Sequence, residues 1–389
     1  MNKVSLDFFE QLFEKEDGLP SIIPEIRFKD DGSPVYHSAT RDTGTLLPKK
    51  LHSIKFVPDY LHLKLPMDGF TLETFGQVKG YSVNVTGFTD VGAYLKSQFK
   101  SNAKTIKRYV TRLEACFPIS YRLFYGEISQ TEYDHILDTL EQMLRNRFMQ
   151  RRDSDESRKK WDRVRKETFD FIHAKKASLF VIYDGIKPIE ISINYHFKNI
   201  LFSSISSYDI YYSKFGLGHV EIYKQLEWCM NNGYKIFEMG RGDLDYKRRW
   251  SNTIYTFEQF VLTPKNNPGA YLQSIFLSNF LRLKGYLKSK KVHLYVKRLI
   301  EVITRNVTAH RAEVTYKIEE LPSQSIKSCQ PKIDLDDSAY EFLRKPVYDI
   351  LYQKTIPISK ISLYEVQKER HYILESQKEQ YVILLKPNI

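Results

Sequence analysis

Between Ser178 and Ser206 lie three strand-like runs, SLFVIY, PIEISINYHF and ILFSSIS, the middle one alternating apolar with polar, separated by Asp184-Gly185 and Lys198-Asn199. Period-two alternation bounded by turn residues predicts a three-strand antiparallel meander. Upstream, ISYRLFY (119–125) shows the same alternation. Ser129 followed by Glu132 forms a capping-box signature that opens a helix with Tyr133, Ile136, Leu137, Leu140, Met143 and Leu144 on one face. The charged run RRDSDESRKKWDRVRKE leads into a second helix ending near Ile172, its mixed signs marking a solvated face. Downstream of the meander, SYDIYYSKFGLG opens into a helix, HVEIYKQLEWCMNNG, stopped at Gly233. A strand YKIFEM, the segment GRGDLDYKRRW and a strand YTFEQFVLT follow, and KNNPG closes the unit.

The flanks are patterned differently. Residues 1–88 are weakly periodic, with Leu6, Phe9 and Phe13 at helical spacing and strand-like runs at IKFV and YLHLKL. A basic helix is predicted from Asp90 to about Ala115. Residues 269–308 read as helical, apolar on one side and basic on the other. Residues 312–389 carry a strand, a helix around Pro346 and three further strands. These shifts divide the chain into 1–125, 126–265, 266–311 and 312–389. The fold class expected is α/β (α+β): a mixed central sheet flanked by helices, plus a small C-terminal α+β module.

A length of 389 residues exceeds what one core usually fills, and 42% hydrophobic with 27% charged residues excludes wholesale disorder. Lys and Arg outnumber Asp and Glu by 59 to 47, a net charge of +12 that suits an anionic partner. Cys116, Cys229 and Cys329 lie far apart, which argues against a disulfide framework or a metal site. No signal-peptide-like or membrane-spanning apolar run occurs, so the expected location is cytoplasmic.

Candidate chemistry concentrates in residues 190–247. A strand runs into Ser213-Lys214-Phe215-Gly216-Leu217-Gly218 and then directly into a helix. Glycines there let backbone N–H groups point at an anion where the helix dipole also favours one. On the strand PIEISINYHF, Glu190, Ser192, Asn194 and His196 share one face, which reads as a wetted cleft with Glu190 ahead of His196 as a proton acceptor. Asp209, Glu238 and Asp243 are further acids in the motif segments. Lys247 stands beside Arg248 and Arg249 as a candidate for phosphate or an anionic acceptor.

Tyr208-Asp209, the turn Gly216–Gly218, the helix, and Phe237-Glu238-Met239-Gly240, Gly242 and Tyr246-Lys247 occur in the order found in one protein family. Together with the basic helix SNAKTIKRYVTRLE, this arrangement resembles the GNAT superfamily of acyltransferases across roughly residues 95–263. Within it, the resemblance points to the CelD-like cellulose-biosynthesis branch, which borders the Fem-type aminoacyl transferases. Ser213, Phe215 and Glu238 depart from the family's usual Arg or Gln, Pro and Asp.

The resemblance implies a GNAT-like core, with the first 265 residues expected as tandem GNAT-like halves. It also implies transfer of an acyl group, acetyl above all, from acyl-CoA to an amine such as a cell-envelope or polysaccharide precursor, without metal. Under that reading Ser213, Lys214, Gly216, Leu217, Gly218 and Lys247 bind the CoA. The oxyanion donor is a backbone amide near residues 203–206. Glu190, Asp209 and Asp243 are acid–base candidates, and Tyr208, Tyr212 and Tyr246 candidate acids for the thiolate. Two alternatives stand beside it: Fem-type transfer from aminoacyl-tRNA, and a non-catalytic basic module for nucleic acid or anionic lipid. The basic segment 282–311 is expected to pack its apolar side on the acyltransferase domain, with peripheral membrane contact as the competing reading and no sequence-specific nucleic-acid motif.

Overall fold

The computed structural model describes residues 3–14, 23–37, 49–65, 67–151, 156–290, 315–321, 332–366, 371–376 and 379–385. Its strands are β1 (Lys3–Asp7), β2 (Glu25–Phe28), β3 (Pro34–His37), β4 (Leu51–Pro58), β5 (Leu61–Lys64), β6 (Phe70–Asn84), β7 (Ile119–Phe124) and β8 (Ala177–Asp184). They continue with β9 (Lys187–Phe197), β10 (Ile200–Tyr208), β11 (Ile236–Arg241), β12 (Thr253–Pro264), β13 (Tyr316–Leu321), β14 (Ile361–Val366), β15 (His371–Ser376) and β16 (Gln380–Leu385). The helices are α1 (Phe8–Phe13), α2 (Val91–Phe99), α3 (Ala103–Cys116), α4 (Gln130–Arg151), α5 (Glu156–His173), α6 (Leu217–Asn231), α7 (Asp245–Trp250), α8 (Pro268–Ser289) and α9 (Arg344–Lys354).

Nine strands form one mixed sheet in the order β1-β4-β12-β6-β11-β10-β9-β8-β7. The β8–β9–β10 meander is present as its turn residues predict, with Gly185 and Lys198 at positive φ. Both segments expected as halves build this sheet: β4 and β6, from the first 125 residues, flank β12 on its two sides. The helix expected over 90–115 is instead two helices, because the chain turns at Lys100 with φ +51°.

Alternation along the strands feeds a core on each face. Ile191, Ile193 and Phe202 pack with α1, α4 and α5, including Phe8, Tyr133, Leu140 and Ile172. Leu201, Phe237 and Val83 pack on the other face with α2, α6 and Trp250. Buried over this area, the apolar side chains supply the main driving force for the fold. The C-terminal strands form a separate four-stranded sheet in the order β13-β16-β15-β14. Its helix α9 docks beside the turn that precedes α6: Tyr348 meets Tyr212 at 4.7 Å and Tyr352 meets Phe215 at 5.2 Å between ring centroids. Cys116 Sγ donates to Leu351 O at this contact.

α8 corrects one expectation. It packs on the sheet through Ala270, Ser274 and Ser278, while Phe276, Phe280 and Leu283 face solvent. Small side chains permit a close approach and leave the large apolar ones outside. Residues 291–311 of the expected basic segment lie outside the described residues.

Candidate functional site

β10 and β11 are parallel neighbours only over Ile200–Phe202 and Ile236–Glu238. Beyond that point β10 pairs with β9 alone, with a bulge between Ser203 and Ile205. Two side chains hold the strands apart. Glu238 accepts the N–H of Gly240 at 2.6 Å and the Tyr60 hydroxyl at 2.8 Å, turning the chain at Gly240 to φ +69°. Lys247 donates to the carbonyls of Met239 and Arg241 at 2.6 and 2.9 Å, serving backbone oxygens that a continued ladder would serve. Burial pushes the Glu238 carboxyl up to about 7 and the Lys247 ammonium down to about 8.

At the same end of the sheet, Asp209 caps a 3₁₀ turn over Ile210–Phe215, and Gly216 enters α6 at φ +62°. No side chain caps α6. A Cβ at Gly216 would stand 3.0 Å from the Tyr109 ring, so glycine is required there by both sterics and φ. Gly218 has room, its nearest neighbour being the Tyr208 ring at 3.9 Å. Arg147, near the end of α4, lies 4.8 Å over that ring.

Beneath α6 the polar stripe of β9 is dry. Glu190, Ser192 and Asn194 are fully buried, because α6 covers the face expected to be a cleft. Among the described residues no hydroxyl, amide or cationic side chain donates to either Glu190 oxygen. Its neighbour is another acid, Glu221, one turn into α6. Burial first, and then Glu221, pushes the Glu190 carboxyl well above the ordinary carboxylate range, with Arg147 opposing. Burial pushes Glu221 up to about 7 against hydrogen bonds from Ser192, Ser206 and Gln225 and the charge of Arg147. Two carboxyls so placed titrate as a pair, each disfavouring the charge of the other.

On the opposite face, α1 closes the root of the parting, with Phe9 4.8 Å from Phe202. A cavity of about 180 Å³ opens there, lined by Asp7, Phe9, Phe56, Arg241 and Phe257, with Arg163 paired to Glu10 at 2.8 Å and to Glu14 at 3.2 Å. Burial raises Asp7 above the usual range, and Arg241 is among the charges that pull it back.

The remaining expected residues fall as follows. Tyr208 registers opposite Glu190 and borders Gly218. Ser213 and Lys214 are exposed on the 3₁₀ turn, Lys214 3.9 Å from Asp349 of α9, and Leu217 is buried so that only its backbone faces the turn. Asp209 is spent as a cap and on Lys187 at 2.8 Å. Asp243 accepts from Tyr81 and Arg248, which hold it below the ordinary range, and Tyr246 is on the surface of α7. Tyr212 is buried against Asp184 and Tyr348. Lys247 gives its ammonium to two backbone carbonyls. His196 lies at the far end of β9 between Tyr234 and Ser178, with burial pushing it down to about 3. Sequence reading missed Glu221 and Arg147. The available signal for Glu221 was an acid sharing a helix face with Leu217, Val220 and Gln225.

Comparison with known proteins bears on this geometry. No curated protein matches the chain. Solved structures with similarity include a conserved protein of unknown function from Bacteroides thetaiotaomicron VPI-5482, at 11% identity and TM-score 0.40 over 55% of this chain and 71% of that one. The C-terminal DUF2156 domain of a protein described as a lysylphosphatidylglycerol synthetase, from Agrobacterium fabrum, gives 10%, 0.37, 58% and 71% in the same order. FemX gives 9%, 0.27, 54% and 71%. Residues 100–248 match the family model described as an acetyltransferase (GNAT) domain. That segment contains the meander, the glycine turn, α6 and the parted strand β11, and this chain therefore carries a GNAT-type acetyltransferase domain.

Proposed function

We propose that the chain is an enzyme that transfers an acyl group, acetyl first, from a CoA thioester to an amine. The observation that carries the reading is the parting of β10 from β11 beside the uncapped N-terminus of α6. In it the CoA pyrophosphate sits at the Gly216–Gly218 turn, where backbone donors and the dipole favour anions, with Ser213, Lys214 and Arg147 close by. The thioester enters the parting, and its carbonyl oxygen takes a hydrogen bond from a β10 amide within residues 203–206. The amine approaches from the α1 face, through the cavity lined by Asp7 and Arg241.

The chemistry then balances on this chain's groups. The ammonium gives up a proton, which passes through the half-buried Ser206 to the Glu190–Glu221 pair, Glu221 being the member that ionises near neutrality. The nitrogen lone pair forms the C–N bond, the tetrahedral oxyanion collapses and the C–S bond breaks. Tyr208 hands its proton to the departing thiolate and is made whole by the second proton, which the nitrogen sheds as the amide forms. Asp209, Asp243 and Tyr246 keep structural or surface roles in this scheme. CoA thioesters as donors make the cytoplasm the working compartment, and an envelope or polysaccharide precursor is the acceptor class to try first.

Incubation with acetyl-CoA and a panel of amines, read by free thiol and by the mass of the product, tests the reading. Equal yields of CoA thiol and amide are expected. Neither product nor binding with any acyl-CoA, alongside transfer from aminoacyl-tRNA, would replace it with the Fem-type reaction.

A further inference from the structure

α8 presents the wrong side to the protein. Asn267 caps it through the N–H groups of Gly269 and Ala270, Pro268 occupies its first turn, and Ala270, Ser274 and Ser278 face the sheet. Ser278 and Arg282 both bind Glu73, at 2.5 and 2.8 Å, which fixes the rotation of the helix. The outward face consequently carries large apolar side chains along its length. Phe276 is 76% exposed, Phe280 and Tyr286 59% each, Leu272 58% and Leu283 56%, with Leu287 following one turn on. These positions recur three and four residues apart, so they form one stripe rather than scattered surface residues. A contiguous patch of this kind on a folded chain marks an interaction site.

Charge selects the occupant. From Lys265 to Ile300 the sequence contains no Asp or Glu, whereas Arg282, Lys284, Lys288, Lys290, Lys291, Lys297 and Arg298 all fall within it. Lys284 and Lys290 are exposed on the last turns of α8 and its C-cap, whereas Lys288 turns back to the Gln77 carbonyl at 2.8 Å. Closing the stripe against a second copy, or against residues 291–300, would bring more lysine and arginine onto lysine. An anionic lipid surface takes both features at once: acyl chains accept Phe276, Phe280 and Leu283, and headgroup phosphates accept the lysines beside them. At 22 residues the helix has the length to span, yet no described helix is apolar enough to cross a membrane, which leaves a helix lying in the interface.

We infer that α8 docks this protein onto anionic membrane surfaces, with Leu272, Phe276, Phe280, Leu283 and Leu287 inserted and Lys284 and Lys290 at the headgroups. The test is co-sedimentation of the full chain with vesicles of phosphatidylcholine mixed with phosphatidylglycerol, and with phosphatidylcholine alone, at physiological salt. Binding to the mixed vesicles is expected, at least about tenfold stronger than to the neutral ones. Phe276→Ser with Phe280→Ser and Leu283→Ser should lower the partition coefficient about a hundredfold or more, with circular dichroism unchanged because all three are exposed. Lys284→Glu with Lys290→Glu should erase the preference for the anionic vesicles. Wild-type protein that stays in the supernatant with both vesicle types overturns the inference. So does sedimentation as a dimer that the serine variant disperses, which would assign the stripe to a second copy.

Discussion

α6 and α8 lie on the same nine-stranded sheet and break the usual helix pattern in opposite senses. α6 buries Glu221 and Gln225 beside Leu217 and Val220, so acids are held where hydrocarbon is normal. α8 buries two serines and leaves phenylalanines in water. An ordinary amphipathic helix gains stability from its apolar face. Each of these helices forgoes part of that gain at the position where a ligand-directed role can be read. The physical lesson is that a departure from amphipathicity marks function more directly than agreement with it marks fold.

The largest effect expected from breaking this comparison is on turnover. Glu221→Gln removes the carboxyl that ionises near pH ~7 and should lower acyl transfer roughly 10²–10⁴-fold with CoA affinity preserved. Glu190→Gln replaces the member that burial and the Glu221 charge push well above the ordinary carboxylate range, and its cost in rate should be smaller, about tenfold. Steady-state kinetics of both variants checks the ranking; equal losses would make Glu190 the ionising member instead.

Lys247→Met comes next, and it acts on stability. Two carbonyls lose their donor and Glu238 loses its cation, at a cost of about 2–5 kcal/mol in chemical denaturation. A loss below about 1 kcal/mol would show that something else holds β11 away from β10.

The pH dependence of stability should follow the buried acids. Glu221 and Glu238 move from the ordinary 4.5 to about 7 in the fold. Between those values the folded chain binds protons that the unfolded chain has released. Their contribution to unfolding free energy therefore falls as pH rises through that window and is flat below it. Thermal melts of wild type against Glu221→Gln with Glu238→Gln should show the double variant losing less stability between pH ~5 and ~7. A steeper fall in the variant would contradict the burial of these acids.

The smallest effect sharpens the contrast. Phe276→Ser and Phe280→Ser on α8 should each change stability by less than about 0.5 kcal/mol, whereas Leu217→Ala on α6 should cost about 2–5 kcal/mol. Comparable losses in both helices would mean that the α8 stripe is covered in solution.

Much of the fold was legible in the residues. The meander was marked by Gly185 and the Lys198-Asn199 turn, the opening of α4 by Ser129, whose hydroxyl accepts the Glu132 N–H at 3.3 Å, and the end of α6 by Gly233 at φ +72°. These are local signals with local causes. What stayed hidden depends on partners distant in sequence. β6 reads as weakly patterned because only a third of it is buried, and its place in the sheet comes from pairing with β12 about 180 residues away. The polar stripe on β9 has the right period for a cleft, and only the position of α6 makes it dry. Lys247 reads as a surface cation until the carbonyls of Met239 and Arg241 are found beside it. The glycine turn was legible for the opposite reason, since Gly216 and Gly218 act through their own backbone.

Isothermal titration of acetyl-CoA into wild type and into Gly218→Asp tests the acyl-transfer reading most directly. Gly218 has space for a side chain, so the variant should fold, while its carboxylate would repel phosphate at the start of α6. Saturable binding to wild type, weakened at least about a hundredfold in the variant with an unchanged circular dichroism spectrum, is the outcome expected. Equal affinity in both proteins would remove the turn from the site, and no heat from either with any acyl-CoA would contradict the CoA-dependent function itself.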